Sequence, residues 1–293
     1  MFKGSMVALV TPFNNGKLDE DKLKSLVEFH LKNKTSALVP CGTTGESATL
    51  SLAEHERVIE TVVETADKKI PVIAGTGSNN TATAIRLTQH AQASGASAAL
   101  LICPYYNKPT QNGLYLHFKQ IADNVDIPLI LYNIASRTAI NMEPETIAKL
   151  ACECKNIVGV KEASGNLAQM SQVKLLCPQN FALISGDDAL VLPLLAIGGT
   201  GVISVVANIV PRDIAGLITE FEKGNIEKAR ALHFKLLPLI KAMFLETNPM
   251  CVKTAMQFLG MCDAHVRLPL CAMQDETKMK LKKVLTAYGL LKK

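Results

Sequence analysis

Lys161 closes the apolar run Ile157-Val158-Gly159-Val160 and is followed by Glu162-Ala163-Ser164-Gly165. A run that apolar is normally buried on both faces of a parallel sheet, where a lysine is rarely left without a reason. Desolvation disfavours the ammonium form and enlarges the fraction of nucleophilic amine, which suits a lysine that forms a Schiff base with a carbonyl. Taken alone, a lysine that simply extends to solvent from a strand end is the competing reading. Other apolar runs end in groups that relay protons or hold anions. These are Thr43 and Thr44 in Gly42-Thr43-Thr44-Gly45-Glu46-Ser47, then Tyr105 and Tyr106, Tyr132 with Arg137 just beyond, Gly186 with Asp187 and Asp188, and Ile203 with Ser204. Three of the five tyrosines sit at such ends. Each group has a bland account: a simple turn, a rim aromatic, a packed tyrosine, a loop arginine. All would have to hold at once.

The elements that must position these groups are eight apolar strands, expected at 7–13, 37–41, 71–75, 98–103, 128–133, 157–161, 181–186 and 201–205. Helical segments separate them. Leu23, Leu26, Val27 and Leu31 have helical spacing, and Ser51-Leu52-Ala53-Glu54 has the form of a capping box. Eight strands alternating with helices over about 220 residues predict an α/β fold of the (β/α)8 TIM barrel type, whose active site lies at the C-terminal strand ends. A doubly wound sheet would want a glycine fingerprint after the first strand, where Thr11-Pro12-Phe13 stands instead. The strands stop near Glu222. A stripe at Ala229, Leu232, Leu236 and Leu239, a kink at Pro238, and helical patterns near 249–260 and 274–289 predict a C-terminal helical extension. The expected organisation is a catalytic barrel over 1–224 and a helical domain over 225–293.

Composition narrows the chemistry. The net charge is +5, with no basic stripe interleaved with aromatics, so no nucleic-acid partner is expected. No run of 18 apolar residues predicts a membrane span, and the short run at 6–10 is no signal peptide. The eight cysteines lack zinc-site pairing and read as reduced thiols of a cytoplasmic protein, with Cys41 and Cys103 as inert core thiols. None of the six histidines falls at a strand end, so no metal is expected. Asp187 and Asp188 stand where such barrels often hold phosphate, which points to unphosphorylated substrates. From the residues alone the reading is a Schiff-base lyase or synthase for a small 2-oxo acid. In it Lys161 attacks the ketone, Tyr132 moves protons, Thr43 and a second tyrosine orient that hydroxyl, and Thr44 with backbone donors holds the carboxylate.

The motifs GTTGES (42–47), CPYYNKP (103–109), YNIASRT (132–138), GVKEASGN (159–166) and SGDD (185–188) occur in the order and over the length of the dihydrodipicolinate synthase family, which the chain resembles. The wider superfamily includes N-acetylneuraminate lyase. The resemblance implies that Lys161 forms an imine with pyruvate and that the enamine condenses with L-aspartate 4-semialdehyde, with no separate cofactor. It implies a proton relay of Thr43, Tyr132 and Tyr106, the last reaching in from a neighbouring subunit. A homotetramer built as a dimer of dimers follows. Thr44 resembles a pyruvate-carboxylate contact and Arg137 the arginine that holds the semialdehyde carboxylate. Gly186 and Ile203 resemble positions whose carbonyls face the site.

Two departures stand out. Ala135 replaces a proline usual in the family, which would loosen the loop presenting Arg137. The family's pocket for inhibitory lysine is matched by His55, Asn79 and Tyr105, but Leu52 and Thr83 replace a histidine and a glutamate. Weak or absent lysine inhibition is expected. Two alternatives remain at this stage. One is a pyruvate lyase for a sugar acid or hydroxy-oxo acid, against which Arg137 argues. The other is a non-catalytic barrel, against which the complete Lys161, Tyr132, Thr43 and Tyr106 set argues.

Overall fold

The computed structural model describes residues 2–292. Eight parallel strands form one sheet: β1 (Gly4–Ala8), β2 (Ala37–Val39), β3 (Ile73–Gly75), β4 (Ala98–Ile102), β5 (Leu129–Asn133), β6 (Ile157–Glu162), β7 (Ala182–Ser185) and β8 (Gly201–Ser204). Apart from β2 and β3, which end the sheet, each strand pairs with its sequence neighbours, and β1 pairs with β8. A parallel bridge between Leu38 and Val72 joins the two end strands and closes the ring. The expected TIM barrel is therefore the observed one.

Side-chain alternation builds the interior. Met6, Ala8, Ala37, Val39, Ile73, Ala98, Leu100, Ile130, Tyr132, Ala182, Ile184 and Ile203 form one buried cluster inside the ring. Leu129, Leu131, Ile157 and Val160 face the surrounding helices instead. Strand β6 breaks the alternation once. Leu129 pairs with Ile157, but Ile130 pairs with Gly159, so Val158 is an extra residue in the ladder. This bulge shifts the phase of everything after it. Val160 then faces outward, and Lys161, in register with Tyr132, faces in.

The helices begin and end on local signals. Ser51 and Glu54 form the expected capping box at the start of the helix Leu52–Ala66. Asn15 and Gly16, both at positive φ, turn a short hairpin between Phe13–Asn14 and Lys17–Leu18. One expectation needs correction. The first strand starts earlier, at Gly4, and ends at Ala8 rather than running to Phe13. Beyond Ala8 its polar groups are served by a side chain: Asn208 Nδ2 donates to the Ala8 carbonyl and Asn208 Oδ1 accepts from Val10 N–H. With its backbone satisfied there, the chain leaves the sheet.

After the helix Pro211–Glu222, the chain continues in helices Ile226–Ala242, Met250–Phe258 and Asp275–Tyr288. Leu236, Leu239, Val252, Met256, Leu281 and Leu285 share one buried cluster with barrel residues such as Val7, Leu38 and Val58.

Candidate active site

The bulged strand delivers Lys161 to the barrel mouth. The side chain is buried, 6% exposed, and its Nζ lies 4.2 Å from the centroid of the Tyr132 ring. Among the described residues no carboxylate lies within ion-pair distance of it. A buried amine resting on an aromatic face, without an anionic partner, differs from the solvent-reaching strand-end lysine that was the competing reading. Tyr132 borders a cavity of about 460 Å³ whose lining includes Thr43, Arg137, Thr138 and Asn248.

Gly186, at the end of β7, has a steric role. A Cβ there would lie 2.5 Å from Ala163 Cβ and 3.1 Å from Lys161 Cε. Gly186→Ala is expected to push the lysine stem aside and slow its reaction with a carbonyl by about 100-fold, the usual consequence of misplacing a reacting group by about 1 Å. Single-turnover trapping on a variant with an unchanged circular dichroism spectrum measures this.

The 42–47 loop carries Thr43 and Thr44 and is held tightly. Glu46, buried at positive φ, accepts from Lys253 Nζ at 2.7 Å and from Arg267 N–H at 3.0 Å. Lys253 is fully buried and also donates to the Thr11 carbonyl at 2.9 Å, while Thr11 Oγ1 donates to the Gly45 carbonyl at 2.7 Å. Burial pushes the Lys253 ammonium below its ordinary value, with Glu46 pulling the other way. Gly75 lets the adjoining strand approach, since a Cβ there would sit 2.2 Å from the Cys41 carbonyl oxygen.

Asn248 joins the 42–47 loop to the turn that carries Arg137. Its Nδ2 donates to Thr44 Oγ1 at 2.9 Å, and its carbonyl accepts from Arg137 Nη2 at 3.1 Å. Its Oδ1 is buried without a partner among the described residues. Neither Asn248 nor Lys253 emerged from the sequence reading. The available signals were an Asn-Pro dipeptide and a lysine inside the apolar segment Cys251-Val252-Lys253-Thr254-Ala255.

Arg137 lies in a single helical turn, Ala135–Thr138, with Ala135 at the first helical position, which a proline also suits. Thr138 Oγ1 closes the turn by donating to the carbonyls of Ile134 and Ile140. Ile203 packs inside the barrel, in register with Met6. Asp187 accepts from Ala189 N–H, and Asp188 accepts from Val205 and Val206 N–H, both at 3.0 Å. The donors after β8 that could hold a phosphate thus already hold an internal carboxylate, whose pKa burial raises. Cys41 and Cys103 are buried, and burial raises both thiols well above their ordinary value.

The site does not gather every expected residue. Thr43 and Tyr132 border the same cavity. Tyr106 is 89% exposed at positive φ and does not border its own chain's cavity. Tyr105 does border it, with His55, Leu52 and Thr83. Asn79 Nδ2 donates to the Tyr105 carbonyl at 3.2 Å, and Asn107 Nδ2 donates to the Asn79 carbonyl at 2.9 Å.

Comparison with known proteins places the whole chain in one family. The model of the Dihydrodipicolinate synthetase family matches residues 1–288. A 4-hydroxy-tetrahydrodipicolinate synthase of Endomicrobium trichonymphae is 58% identical over 292 residues, covering 100% of both chains. One of Syntrophus aciditrophicus (strain SB) is 55% identical over 291 residues, 99% of this chain and 100% of that one. The crystal structure of dihydrodipicolinate synthase from Aquifex aeolicus superposes with a TM-score of 0.98 at 50% identity, covering 100% of each chain. With the whole chain matched in sequence and in fold, this protein belongs to the dihydrodipicolinate synthetase family.

Proposed function

We propose that Lys161 carries the covalent step of the family's reaction. The chain is a lyase that condenses pyruvate with L-aspartate 4-semialdehyde to 4-hydroxy-tetrahydrodipicolinate, the committed step toward diaminopimelate and lysine. The observation that carries the assignment is the buried Lys161 amine over Tyr132, beside the cavity that Thr43 and Arg137 line.

Lys161 Nζ adds to C2 of pyruvate, and loss of water gives the iminium. Removal of a C3 proton gives the enamine, whose C3 attacks the aldehyde carbon of the second substrate. The semialdehyde amine then adds to C2 and expels Lys161, closing the ring. Tyr132 moves the protons of these steps, with Thr43 and Tyr106 of a neighbouring subunit completing the relay; the exposure of Tyr106 on its own chain supports that arrangement. Thr44 holds the pyruvate carboxylate, and the carbonyls of Gly186 and Ile203 face the substrates. The amine itself supplies the electrophilic activation, so no separate cofactor is needed. The working form is a cytoplasmic homotetramer acting on unphosphorylated substrates, the last point supported by Asp188.

Arg137 keeps guanidinium donors free beyond the one used on Asn248, and a planar fork suits a carboxylate. Arg137→Ala is expected to cost about 1.5–3 kcal/mol with the semialdehyde, about 10- to 150-fold in kcat/KM, while leaving pyruvate trapping intact. The deciding experiment is incubation with pyruvate, borohydride reduction and mass mapping. An adduct on Lys161 is expected, and an unmodified Lys161 overturns the reading. Addition of semialdehyde then yields the cyclic product.

Lysine itself should be a poor inhibitor. His55, Asn79 and Tyr105 remain, but Leu52 and Thr83 offer an ammonium no carboxylate, and the Asn79 amide is already engaged by the Tyr105 carbonyl. Loss of one charged hydrogen bond weakens binding by about 1.5–3 kcal/mol. A micromolar inhibition constant in a steady-state titration would contradict this.

A further inference from the structure

Behind the reacting pair lies a polar cluster that the reaction does not touch. At the ends of β5 and β6, beyond the bulge, successive residues face opposite sides, so Asn133 and Glu162 face outward where Tyr132 and Lys161 face inward. The outer pair is also in register and fully buried. Glu162 Oε2 accepts from Asn133 Nδ2 at 3.0 Å and from Gln169 Nε2 at 3.1 Å, and its Oε1 accepts from Ser164 N–H at 2.7 Å. Asn133 Nδ2 also reaches Asn141 Oδ1 at 2.8 Å, Asn133 Oδ1 accepts from Met142 N–H at 2.9 Å, and Asn141 Nδ2 donates to Gln169 Oε1 at 2.8 Å. Every contact to the carboxylate comes from an N–H donor, and among the described residues no lysine or arginine pairs with it.

A buried carboxylate with no cation is a costly way to fill space; apolar side chains of similar volume would pack at least as stably. What this cluster adds is geometry. The ladder between β5 and β6 contains an extra residue at Val158, so pairing upstream does not by itself fix the strand ends. The cluster grips the residue next to Tyr132 and the residue next to Lys161, and ties both to the loop at 141–142, to Ser164 and to Gln169 in the helix Leu167–Leu176.

We propose that Glu162, acting with Asn133 and Gln169, is a positioning residue that sets the attack geometry of Lys161. The proposal rests on the imine reading of Lys161. Its test is the time course of pyruvate trapping on the full-length enzyme. Wild-type protein must first give the Lys161 adduct; its absence removes the imine reading and not the cluster's geometry. In Glu162→Gln the trapped fraction is expected to reach one per folded chain, at a rate about 10- to 100-fold slower, with the KM for pyruvate within about threefold of wild type. Adding Gln169→Glu returns the anion to the same cluster and should recover most of the rate. Tyr288→Phe, which removes the Asp213 contact between outer helices, is the stability control and should leave the rate unchanged. Should Glu162→Gln fail to fold, Gln169→Ala removes one arm of the grip and should slow trapping several-fold. A wild-type rate in the folded variant, or a lower amplitude at an unchanged rate, overturns the proposal.

Discussion

Lys161→Met yields a folded barrel that no longer traps pyruvate and loses at least about 1,000-fold in turnover, as expected when the group that forms the covalent intermediate is removed. Methionine matches the lysine stem in length and places no charge in a site that gives the ammonium no carboxylate partner. Its thermal midpoint should therefore equal or exceed that of the wild type. Lys161→Arg is the harsher variant. The larger guanidinium must enter a space already close to Gly186 and Ala163, at a strain of about 1–3 kcal/mol, and it stays protonated and cannot form the imine. Comparison of the two separates loss of chemistry from loss of fold. More than a hundredth of wild-type turnover in Lys161→Met would place the chemistry elsewhere.

Lys253→Met is the largest expected stability effect. It leaves the buried Glu46 carboxylate with one hydrogen bond, from Arg267 N–H. Breaking one side of a buried pair costs about 3–5 kcal/mol, most of it from the stranded charge. The double variant Lys253→Met with Glu46→Gln removes that charge and should regain much of the loss. Urea unfolding of the two variants measures the difference. Because Glu46 ends the loop that carries Thr43 and Thr44, the single variant should also lose activity before it unfolds. A loss below about 1 kcal/mol would mean that water reaches Glu46 and the pair is not sealed.

Much of the barrel could be read from the chain because its strands are short apolar runs ended by glycine, proline or polar clusters, and each predicts its own position. The orientation of a side chain is harder. Counting alternate faces from Ile157 would turn Lys161 outward, and only the pairing of Ile130 with Gly159 reverses this. A bulge leaves little local trace, so the lysine could be assigned to a strand end but not to a face. Asn208, which ends β1 early, and Asn248, which bridges Thr44 and Arg137, act across about two hundred residues. Short polar residues in turns carry no mark of such distant duties. The Glu162 cluster was hidden for a related reason, since a carboxylate at a strand end reads as solvent-facing until the helix over it is seen. Tyr106, four residues past the end of β4, is exposed on its own chain, and the periodicity of one chain carries no mark of which residues serve across a subunit boundary.

The anchoring of the 42–47 loop also bears on how the protein is made. Its ties to Asn248, Lys253 and Arg267 span 204, 207 and 221 positions. A growing chain exposes Thr43, Tyr132 and Lys161 long before these partners have left the ribosome. Until then Glu46 has no cation and the loop no reason to hold its shape. A product cut short after the eighth strand would carry the lysine and its tyrosine but not the clamp. The clamp on the 42–47 loop is therefore complete only once Arg267 has been translated.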